Sequence, residues 1–309
     1  NDSKAMAQWK ARYGGNEQSS QVLNTMPRDD LNRVVELRAV PKRVLVIGPG
    51  ATEIVFALGQ QAKVAGRDSA SDFPADKMEN IAVVGDFNGP NIERAVAANP
   101  DFVIVQGETY GRDRVDSWQK QIGVPVASVA ATTVQGVAQD IRKIGAWLGA
   151  SDKAETIAAR LQNQGSTAAK NSAKGAPTAI VEIQRSPLMV AGRGTLIDDV
   201  LNRAGFANGA KVEGYKQLNL ENLLANPPDF YVVPSDTLKN APDVKLKLVS
   251  ERNRVLDSLR QTPGLKNLEC VRRGRVLLVP ADWVLRPSPR LADGVAEMTR
   301  QRLQLGTKK

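Results

Sequence analysis

Arginine and aromatic residues recur in the segments that follow predicted strands, and together they suit a large, flat or anionic ligand. The planar guanidinium group of arginine forms paired hydrogen bonds with carboxylates or catecholates, and aromatic rings pack against the faces of a chelate. The residues of this set are Arg67, Arg112, Arg185, Arg193, Arg286, Phe87, Tyr110, Tyr215 and Trp283. We expect a part of the set to contact a ligand and some of the arginines to be ordinary surface residues.

The absence of histidine excludes many catalytic and metal-binding sites. The chain of 309 residues has no histidine and one cysteine, Cys270. Ser-His-Asp triads, Cys–His pairs and zinc sites built on imidazole therefore have no central group, and one cysteine forms neither an internal disulfide nor a cysteine-rich metal site. Cys270 lies beside an apolar strand and is predicted to be a buried small hydrophobic residue. We expect a protein that is not an enzyme and has no metal site or resident cofactor.

The positive charge of the chain is concentrated in its C-terminal part. The formal net charge is +9; residues 174–309 hold 22 Lys and Arg against 14 Asp and Glu, whereas residues 1–173 hold 20 against 19. A basic segment favours an anionic partner. Nucleic acid is not expected as that partner, because helix-turn-helix, RNP and zinc-finger patterns are absent and aromatic residues make up only 5% of the chain.

Strands and helices are predicted to alternate in two stretches of the chain. Residues 41–132 begin with "RVLVIG" (43–48), a continuous apolar run typical of a buried parallel strand, and "PGATEIVFALG" (49–59), a helix with apolar residues on one face. The alternation stops at residues 133–174, where apolar residues keep helical spacing, and it resumes over residues 175–309. This order predicts two doubly wound α/β lobes joined by a helical segment.

The polar residues 1–40 are assigned to an N-terminal extension. Its last part, "DDLNRVVELRAV" (29–40), is predicted to form a small hairpin that leads into the first strand. No apolar run in the sequence reaches the roughly 18 residues needed to span a bilayer, so we expect a soluble protein.

One segment of fifteen residues is repeated in the two predicted lobes. "NIERAVAANPDFVIV" (91–105) and "NLENLLANPPDFYVV" (219–233) align without a gap, 128 residues apart, and match at seven of fifteen positions. Each copy predicts a helix, a turn at proline and a buried strand. Glu93 and Glu221 stand at the same place in the two copies, where the asparagine two residues earlier predicts a helix N-cap and the helix dipole favours a negative charge.

Several stretches in a fixed order carry a family resemblance over about residues 41–305. They are "PKRVLVIGPGATEIVFALG", "SDFPADK", "VVGDFNGPNIERAVAANPDFVIV", "LIDDVLNRAGFAN", "NLENLLANPPDFYVV" and "DWVLRPSPRLADGV". Together they resemble the substrate-binding proteins of ABC importers with a rigid helical backbone, which carry ferric siderophores, cobalamin or haem. The resemblance implies two α/β lobes joined by one long helix, with the ligand in the cleft between the lobes. It also implies a periplasmic monomer that docks at the inner membrane on the permease subunits of an ABC importer.

The resemblance gives the repeated glutamates a role. In this family one surface glutamate on each lobe enters an arginine pocket on a permease subunit, and Glu93 and Glu221 match these positions. Two similar permease subunits present two similar basic pockets, so one carboxylate per lobe fixes the register through charge-assisted hydrogen bonds. We expect Glu93 and Glu221 to be the transporter-docking residues.

The resemblance also assigns residues to the ligand cleft. "DWVLRPSPR" is similar to the segment of vitamin-B12-binding proteins in which an aspartate and the following arginine reach the corrin, and here these residues are Asp282 and Arg286. Phe87 and Tyr215 occupy positions where those proteins have tryptophans, whereas Gln106 replaces another tryptophan. The predicted ligand contacts are Arg67, Phe87, Tyr110, Arg185, Arg193, Tyr215, Asp282, Trp283 and Arg286.

The identity of the ligand stays open among a ferric siderophore, cobalamin, and a last group of haem, an oxyanion or another chelate. An arginine-rich cleft in a basic lobe favours a ferric siderophore, whose complexes are often anionic, and this ligand is predicted first. Cobalamin is second, because aromatic surface is lost relative to the vitamin-B12-binding proteins. Haem is third, because the "GDFNG" loop holds Asp86 and Phe87 where haem carriers place a tyrosine ligand, and the chain has no histidine to replace it. An enzyme with a metallocluster would need more cysteines than Cys270, and a carrier of free Zn²⁺ or Mn²⁺ would need histidines.

Overall fold

Parallel strands alternate with helices through most of the chain, as the apolar runs predict. A computed structural model describes residues 26–165, 175–241 and 243–306. Two predicted segments extend beyond these ranges: residues 1–25 of the N-terminal extension and residues 166–174 of the helical segment lie outside the described residues. In the described ranges, no helix is both long enough and apolar enough to cross a membrane.

The chain folds into two compact units. The N-unit comprises the described residues up to Ala131 together with Gly136–Ala158, and the C-unit comprises Thr132–Gln135 and the described residues from Ala159 onward. The predicted class, with two doubly wound α/β lobes, is confirmed. Residues 26–40 count with the N-unit.

The N-unit is built around a sheet of six strands. The strands are β1 (Val44–Ile47), β2 (Val64–Asp68), β3 (Val83–Asp86), β4 (Gly89–Pro90), β5 (Phe102–Gln106) and β6 (Val126–Val129). They lie in the order β4-β3-β2-β1-β5-β6, and all neighbours are parallel except β3 and β4. The helices are α1 (Pro49–Ala57), α2 (Ala75–Met78), α3 (Ile92–Ala97) and α4 (Arg112–Ile122), with a 3-10 helix at Gln61–Lys63. Every residue of β1 is buried, as expected for a parallel strand covered on both faces.

A helical hairpin forms the described part of the predicted helical segment. Its helices are α5 (Val134–Leu148) and α6 (Ser151–Asn163). They run antiparallel: the side chain of Gln162 donates a hydrogen bond of 2.9 Å to that of Gln135, and Arg142 pairs with Glu155. Gly149, at a φ of 73°, ends the first helix in the left-handed conformation that favours glycine. Within the described residues the predicted helical segment thus contains α5 and α6, and the division between the units crosses both.

The C-unit contains the second sheet. Its strands are β7 (Thr178–Gln184), β8 (Met189–Ala191), β9 (Ala207–Asn208), β10 (Tyr215–Gln217), β11 (Phe230–Ser235) and β12 (Val276–Pro280). They lie in the order β10-β8-β7-β11-β12, with β9 also paired to β7; β8 is antiparallel to both of its neighbours. The α-helices are α7 (Leu196–Arg203), α8 (Leu220–Ala225), α9 (Val244–Gln261), α10 (Glu269–Arg272) and α11 (Leu291–Gly306). Three 3-10 helices lie at Asp236–Leu238, Leu265–Asn267 and Ala281–Trp283.

The repeated segment has the same local structure in both units. Asn91 and Asn219 are the N-caps of α3 and α8, as predicted, and each side chain accepts a hydrogen bond from a backbone N–H of the first helical turn. Phe102 and Phe230 open the buried strands β5 and β11 and are 0% and 3% exposed. The match between the copies therefore reflects a shared helix start and a shared strand start.

The repeated aspartates attach these strands to their neighbours. The carboxylate of Asp101 accepts hydrogen bonds from the backbone N–H groups of Lys42 and Arg43, at 2.7 and 3.0 Å. The carboxylate of Asp229 accepts one from the backbone N–H of Thr178, at 2.8 Å. In each unit the aspartate thus binds the chain where the adjacent parallel strand begins.

The segment before β1 packs on the N-unit without forming a strand. The predicted hairpin at residues 29–40 is therefore wrong. The Asp29 carboxylate accepts the backbone N–H of Arg33 at 2.8 Å and forms an ion pair with its guanidinium, which gives the backbone a local alternative to a strand ladder. Val35 and Leu37 are 2% and 3% exposed and attach this segment to the unit through apolar burial.

Candidate ligand-binding and docking residues

Each unit exposes one aromatic ring at the same place relative to the repeat. Phe87 is 80% exposed and Tyr215 is 47% exposed, and 128 residues separate them, as they separate the two copies of the repeated segment. Phe87 lies in the turn between β3 and β4, and Tyr215 is the first residue of β10. Exposed rings at equivalent positions are candidates for stacking on a flat ligand.

Tyr110 lies in the core of the N-unit and supports the turn that carries Phe87. Its hydroxyl donates a hydrogen bond of 2.8 Å to the backbone carbonyl of Phe87. Its ring meets Trp118 edge-on with 5.0 Å between centroids, and the guanidinium of Arg114 lies over both rings. Burial raises the pKa of the Tyr110 hydroxyl, so the hydroxyl stays protonated and continues to donate.

Two of the predicted arginines are held by partners within their own unit. The Nη1 group of Arg67 donates to the backbone carbonyls of Asp68 and Ser71, each at 3.0 Å. The Nε of Arg185 donates to the carboxylate of Glu182 at 3.0 Å. These bonds fix the loop after β2 and the turn after β7, so less of the guanidinium hydrogen-bonding capacity is left for an anionic ligand than the sequence suggests.

Three further predicted contacts lie at the surface of the C-unit. Arg193 is exposed just after β8, and its backbone N–H donates to the carbonyl of Val212 at 2.8 Å. Trp283 and Arg286 are partly exposed in the segment after β12, where Trp283 packs against the core of the unit. Arg193 is thus the predicted arginine with the most exposed position.

Asp282 is buried and paired, with 1% of its surface exposed. Its Oδ2 accepts a hydrogen bond of 2.6 Å from Nη1 of Arg290 and one of 3.3 Å from the backbone N–H of Asn240. The other oxygen, Oδ1, is buried with no hydrogen-bond partner among the described residues. Arg290 is not among the predicted site residues, although it is the second arginine of "DWVLRPSPR". The pair fixes the segment after β12 and does not by itself bring Asp282 to the surface.

Glu93 and Glu221 are exposed in the first turns of α3 and α8. In the N-unit the side chain of Asn91 caps the helix through the backbone N–H of Arg94 at 3.0 Å. In the C-unit the side chain of Asn219 caps it through the backbone N–H of Glu221 itself, at 2.9 Å. Both carboxylates are therefore presented at the surface by a fixed helix start.

The C-unit contains a cavity of about 660 Å³, and Arg185, one of the predicted ligand contacts, lies in its wall. Three segments line it: residues 185–188 after β7, residues 217–220 where β10 leads into α8, and the segment after α9 around Thr262 and Leu265. No local pattern marks such a site, because its walls come from parts of the chain that are far apart in sequence.

Comparison with known proteins identifies the family of the chain. A family model described as periplasmic binding protein matches residues 44–283. The chain belongs to this family. The chain is 27% identical over 293 residues to the uncharacterized ABC transporter substrate-binding lipoprotein YvrC of Bacillus subtilis, with 91% of this chain and 86% of the relative covered.

Two further relatives of this periplasmic binding protein have a named ligand. The vitamin B12-binding protein of Salmonella typhimurium is 30% identical over 203 residues, which cover 64% of this chain and 74% of the relative. Among solved structures, a periplasmic heme binding protein from Pseudomonas aeruginosa is 30% identical with a TM-score of 0.67, and the match covers 87% of this chain and 94% of that one.

The predicted ligand residues differ in their exposure. Phe87, Tyr215 and Arg193 are exposed, whereas Arg67, Arg185, Trp283 and Arg286 are partly exposed. Tyr110 and Asp282 are buried. Arg67, Tyr110, Arg185 and Asp282 also form hydrogen bonds that shape loops and turns of their own unit.

Proposed function

We propose that this chain is the substrate-binding component of an ABC importer. Its family and its likeness to an ABC transporter substrate-binding lipoprotein support this role. The two exposed glutamates, Glu93 and Glu221, supply one carboxylate per unit for two similar permease subunits, where charge-assisted pairing with arginine fixes the register. In this role the protein acts in the periplasm, docks peripherally at the inner membrane and catalyses no reaction.

The proposed cargo is a corrinoid of the cobalamin type. The observation that carries this choice is the pair of exposed rings, Phe87 and Tyr215, at equivalent positions of the two units. A large flat macrocycle offers an extended π surface for stacking on an exposed aromatic ring. The vitamin B12-binding relative agrees with this choice. The sequence alone ranks a siderophore first because of its arginines, but Arg67 and Arg185 are already bonded within their units.

A ferric siderophore is the second candidate. Arg193 is exposed, and residues 174–309 carry 22 basic against 14 acidic residues, which favours an anionic complex.

Haem ranks third despite the haem-binding relative. The chain has no histidine. Tyr110 and Tyr231 are buried and donate hydrogen bonds to Phe87 and Glu182, so a tyrosine ligand for the iron would have to be Tyr215 or one outside the described residues.

Calorimetric titration against a panel of ligands tests the proposed cargo. The wild-type protein is titrated separately with cyanocobalamin, a ferric hydroxamate siderophore, a ferric catecholate siderophore and haemin. We expect saturable one-to-one binding of cyanocobalamin with a dissociation constant below about 1 μM, and weaker binding of the other three. Saturable binding of a siderophore at least tenfold tighter than that of cyanocobalamin would overturn the choice of cargo (tenfold is about 1.4 kcal/mol).

A further inference from the structure

The cavity of the C-unit lies against the strand that carries Tyr215. Tyr215 and Gln217 are the first and last residues of β10, and Gln217 lines the cavity. Because side chains alternate along a strand, residues two apart lie on the same face. The exposed ring of Tyr215 and the cavity wall at Gln217 therefore share one face of this edge strand, so a ligand stacked on the ring would extend an arm toward the cavity.

In the N-unit an indole ring packs against the backbone at the corresponding place. Counting 128 residues back from Gln217 along the repeat gives Gly89. A Cβ atom at Gly89 would overlap the ring of Trp118, which is 7% exposed and belongs to α4. In the C-unit, α9 follows β11 as α4 follows β5, and its sequence contains no tryptophan. The two otherwise similar units therefore differ at this place by the indole ring.

A buried network fixes the guanidinium of Arg185 on the cavity wall. The hydroxyl of Tyr231 donates a hydrogen bond of 2.6 Å to Glu182. The Glu182 carboxylate in turn binds Nε and Nη2 of Arg185, at 3.0 and 2.9 Å, and Nη1 donates to the hydroxyl of Ser258 at 3.0 Å. A guanidinium group carries five N–H donors, so donors remain after these bonds, while the positive charge is offset by the carboxylate.

The remaining wall is amphipathic and carries no further charged side chain among its described residues. Asn219 uses its side-chain oxygen to cap α8, which leaves its NH₂ group as a donor. Leu188, Leu220 and Leu265 supply apolar surface. Fixed donors beside apolar surface suit a neutral polar group on an aliphatic stem. A carboxylate would meet the negative charge of Glu182 close behind the guanidinium.

We propose that this cavity binds a neutral, amide-bearing arm of the ligand whose flat face stacks on Tyr215. The inference rests on the proposed cargo and deepens it, because it names the side-chain chemistry that the protein selects. A cavity that binds neutral amide arms selects a corrinoid with intact carboxamide side chains over macrocycles whose side chains end in carboxylates. The N-unit, where Trp118 packs at the corresponding place, contributes no such selection.

The test combines protein variants that fill the cavity with ligand derivatives in which one amide arm is changed. Gln217→Trp places an indole at the cavity wall, at a strand position that tolerates an aromatic residue, and Lys216→Trp places the same group on the opposite face of β10 as the matched control. Pro263→Trp narrows the cavity from the segment after α9 and serves as a second variant if the first does not fold. The probes are cyanocobalamin and its monocarboxylic acid derivatives, each with one carboxamide hydrolysed, and circular dichroism confirms the fold of each variant.

The proposal predicts how the binding affinity changes with each protein variant and with each cyanocobalamin derivative. Gln217→Trp and Pro263→Trp bind cyanocobalamin at least about tenfold more weakly than wild type, whereas Lys216→Trp stays within about twofold. At least one monocarboxylic derivative binds wild type about tenfold more weakly than cyanocobalamin, and this difference disappears in Gln217→Trp. Wild-type affinity in both folded filling variants would overturn the cavity proposal alone. Absence of cyanocobalamin binding to wild type would overturn the proposed cargo and this inference with it.

Discussion

The phenol of Tyr110 holds the turn of Phe87 through a hydrogen bond of 2.8 Å to its backbone carbonyl. Replacing Tyr110 with phenylalanine removes this bond but keeps the edge contact with Trp118. We expect the free energy of unfolding to fall by about 1 kcal/mol and cyanocobalamin to bind several-fold more weakly, because the exposed ring of Phe87 loses its fixed position. Urea unfolding measures the stability and calorimetric titration measures the affinity for cyanocobalamin. A destabilised variant with unchanged affinity would show that ligand binding does not need this hydrogen bond.

The buried carboxyl of Asp140 predicts a pH dependence of stability. Burial, together with the neighbouring Asp30 and against the opposing effect of Lys143, raises its pKa to about 8. An ordinary aspartate has a pKa of about 4, so between these values the folded protein retains a proton that the unfolded chain releases. The contribution of Asp140 to stability is therefore fully present below about pH 4, falls by up to about 1.4 kcal/mol per pH unit as the pH rises, and is lost once the pH has passed about 8.

Asp140→Asn tests this dependence, because asparagine resembles the protonated acid but does not titrate. Urea unfolding of wild type and variant is compared at pH 5, 6.5 and 8. We expect the stability of wild type relative to the variant to decrease as the pH increases. Parallel pH profiles for the two proteins would mean that the carboxyl does not hold a proton in the folded state.

Cys270 is predicted to be inert in the native protein. It is 1% exposed in the core of the C-unit, and burial raises the pKa of its thiol to about 12. The thiolate is the reactive form of cysteine. At pH 8 a disulfide reagent should therefore modify Cys270 of the native protein only as fast as the protein unfolds. In concentrated guanidinium chloride the same reagent should modify Cys270 at once. Rapid modification of the native protein would contradict the packing of this region.

Glu93 and Glu221 are predicted to serve docking and not ligand binding. Both are exposed in the first turn of a helix. Glu93→Ala and Glu221→Ala should each reduce uptake by the importer, and the double variant should reduce it most, because each carboxylate pairs with one permease subunit. Loss of each favourable helix-dipole interaction lowers the stability by about 0.3–1 kcal/mol, and cyanocobalamin affinity should not change.

Asp113 provides the matched control for the docking variants. It is also an exposed acidic residue in the first turn of a helix of the N-unit, α4. Asp113→Ala should lower stability by a similar amount and leave uptake at the wild-type level. Equal uptake for Asp113→Ala and the Glu93→Ala, Glu221→Ala double variant would remove the docking role.

Features set by neighbouring residues could be predicted from the sequence. Asn91 and Asn219 are helix caps and Phe102 and Phe230 open buried strands, and each follows from a pattern of a few residues. The hairpin before β1 could not be predicted correctly, because the side chain of Asp29 captures backbone groups that a strand would need. Periodicity carries no information about such a competition.

Features set by distant residues could not be predicted. Arg185 looks like a free cation in the sequence. Its carboxylate partner Glu182 is only three residues earlier, but its hydroxyl partner Ser258 lies 73 residues away. Likewise, the sequence around Gly89 does not show that the ring of Trp118 packs against this glycine. That ring lies in the N-unit at the place that corresponds to the cavity of the C-unit. The residue types of the candidate site were thus predictable, whereas their availability for a ligand was not.

Calorimetric titration of cyanocobalamin into aromatic variants tests the proposed role of the two exposed rings most directly. Phe87→Ser and Tyr215→Ser should each weaken binding by about tenfold and the double variant by about 100-fold. The control is a Leu246→Ser, Val249→Ser double variant, because these side chains of α9 are 78% and 68% exposed and take no part in the proposed site; it should bind as wild type does. Wild-type affinity in the Phe87→Ser, Tyr215→Ser protein would contradict the account.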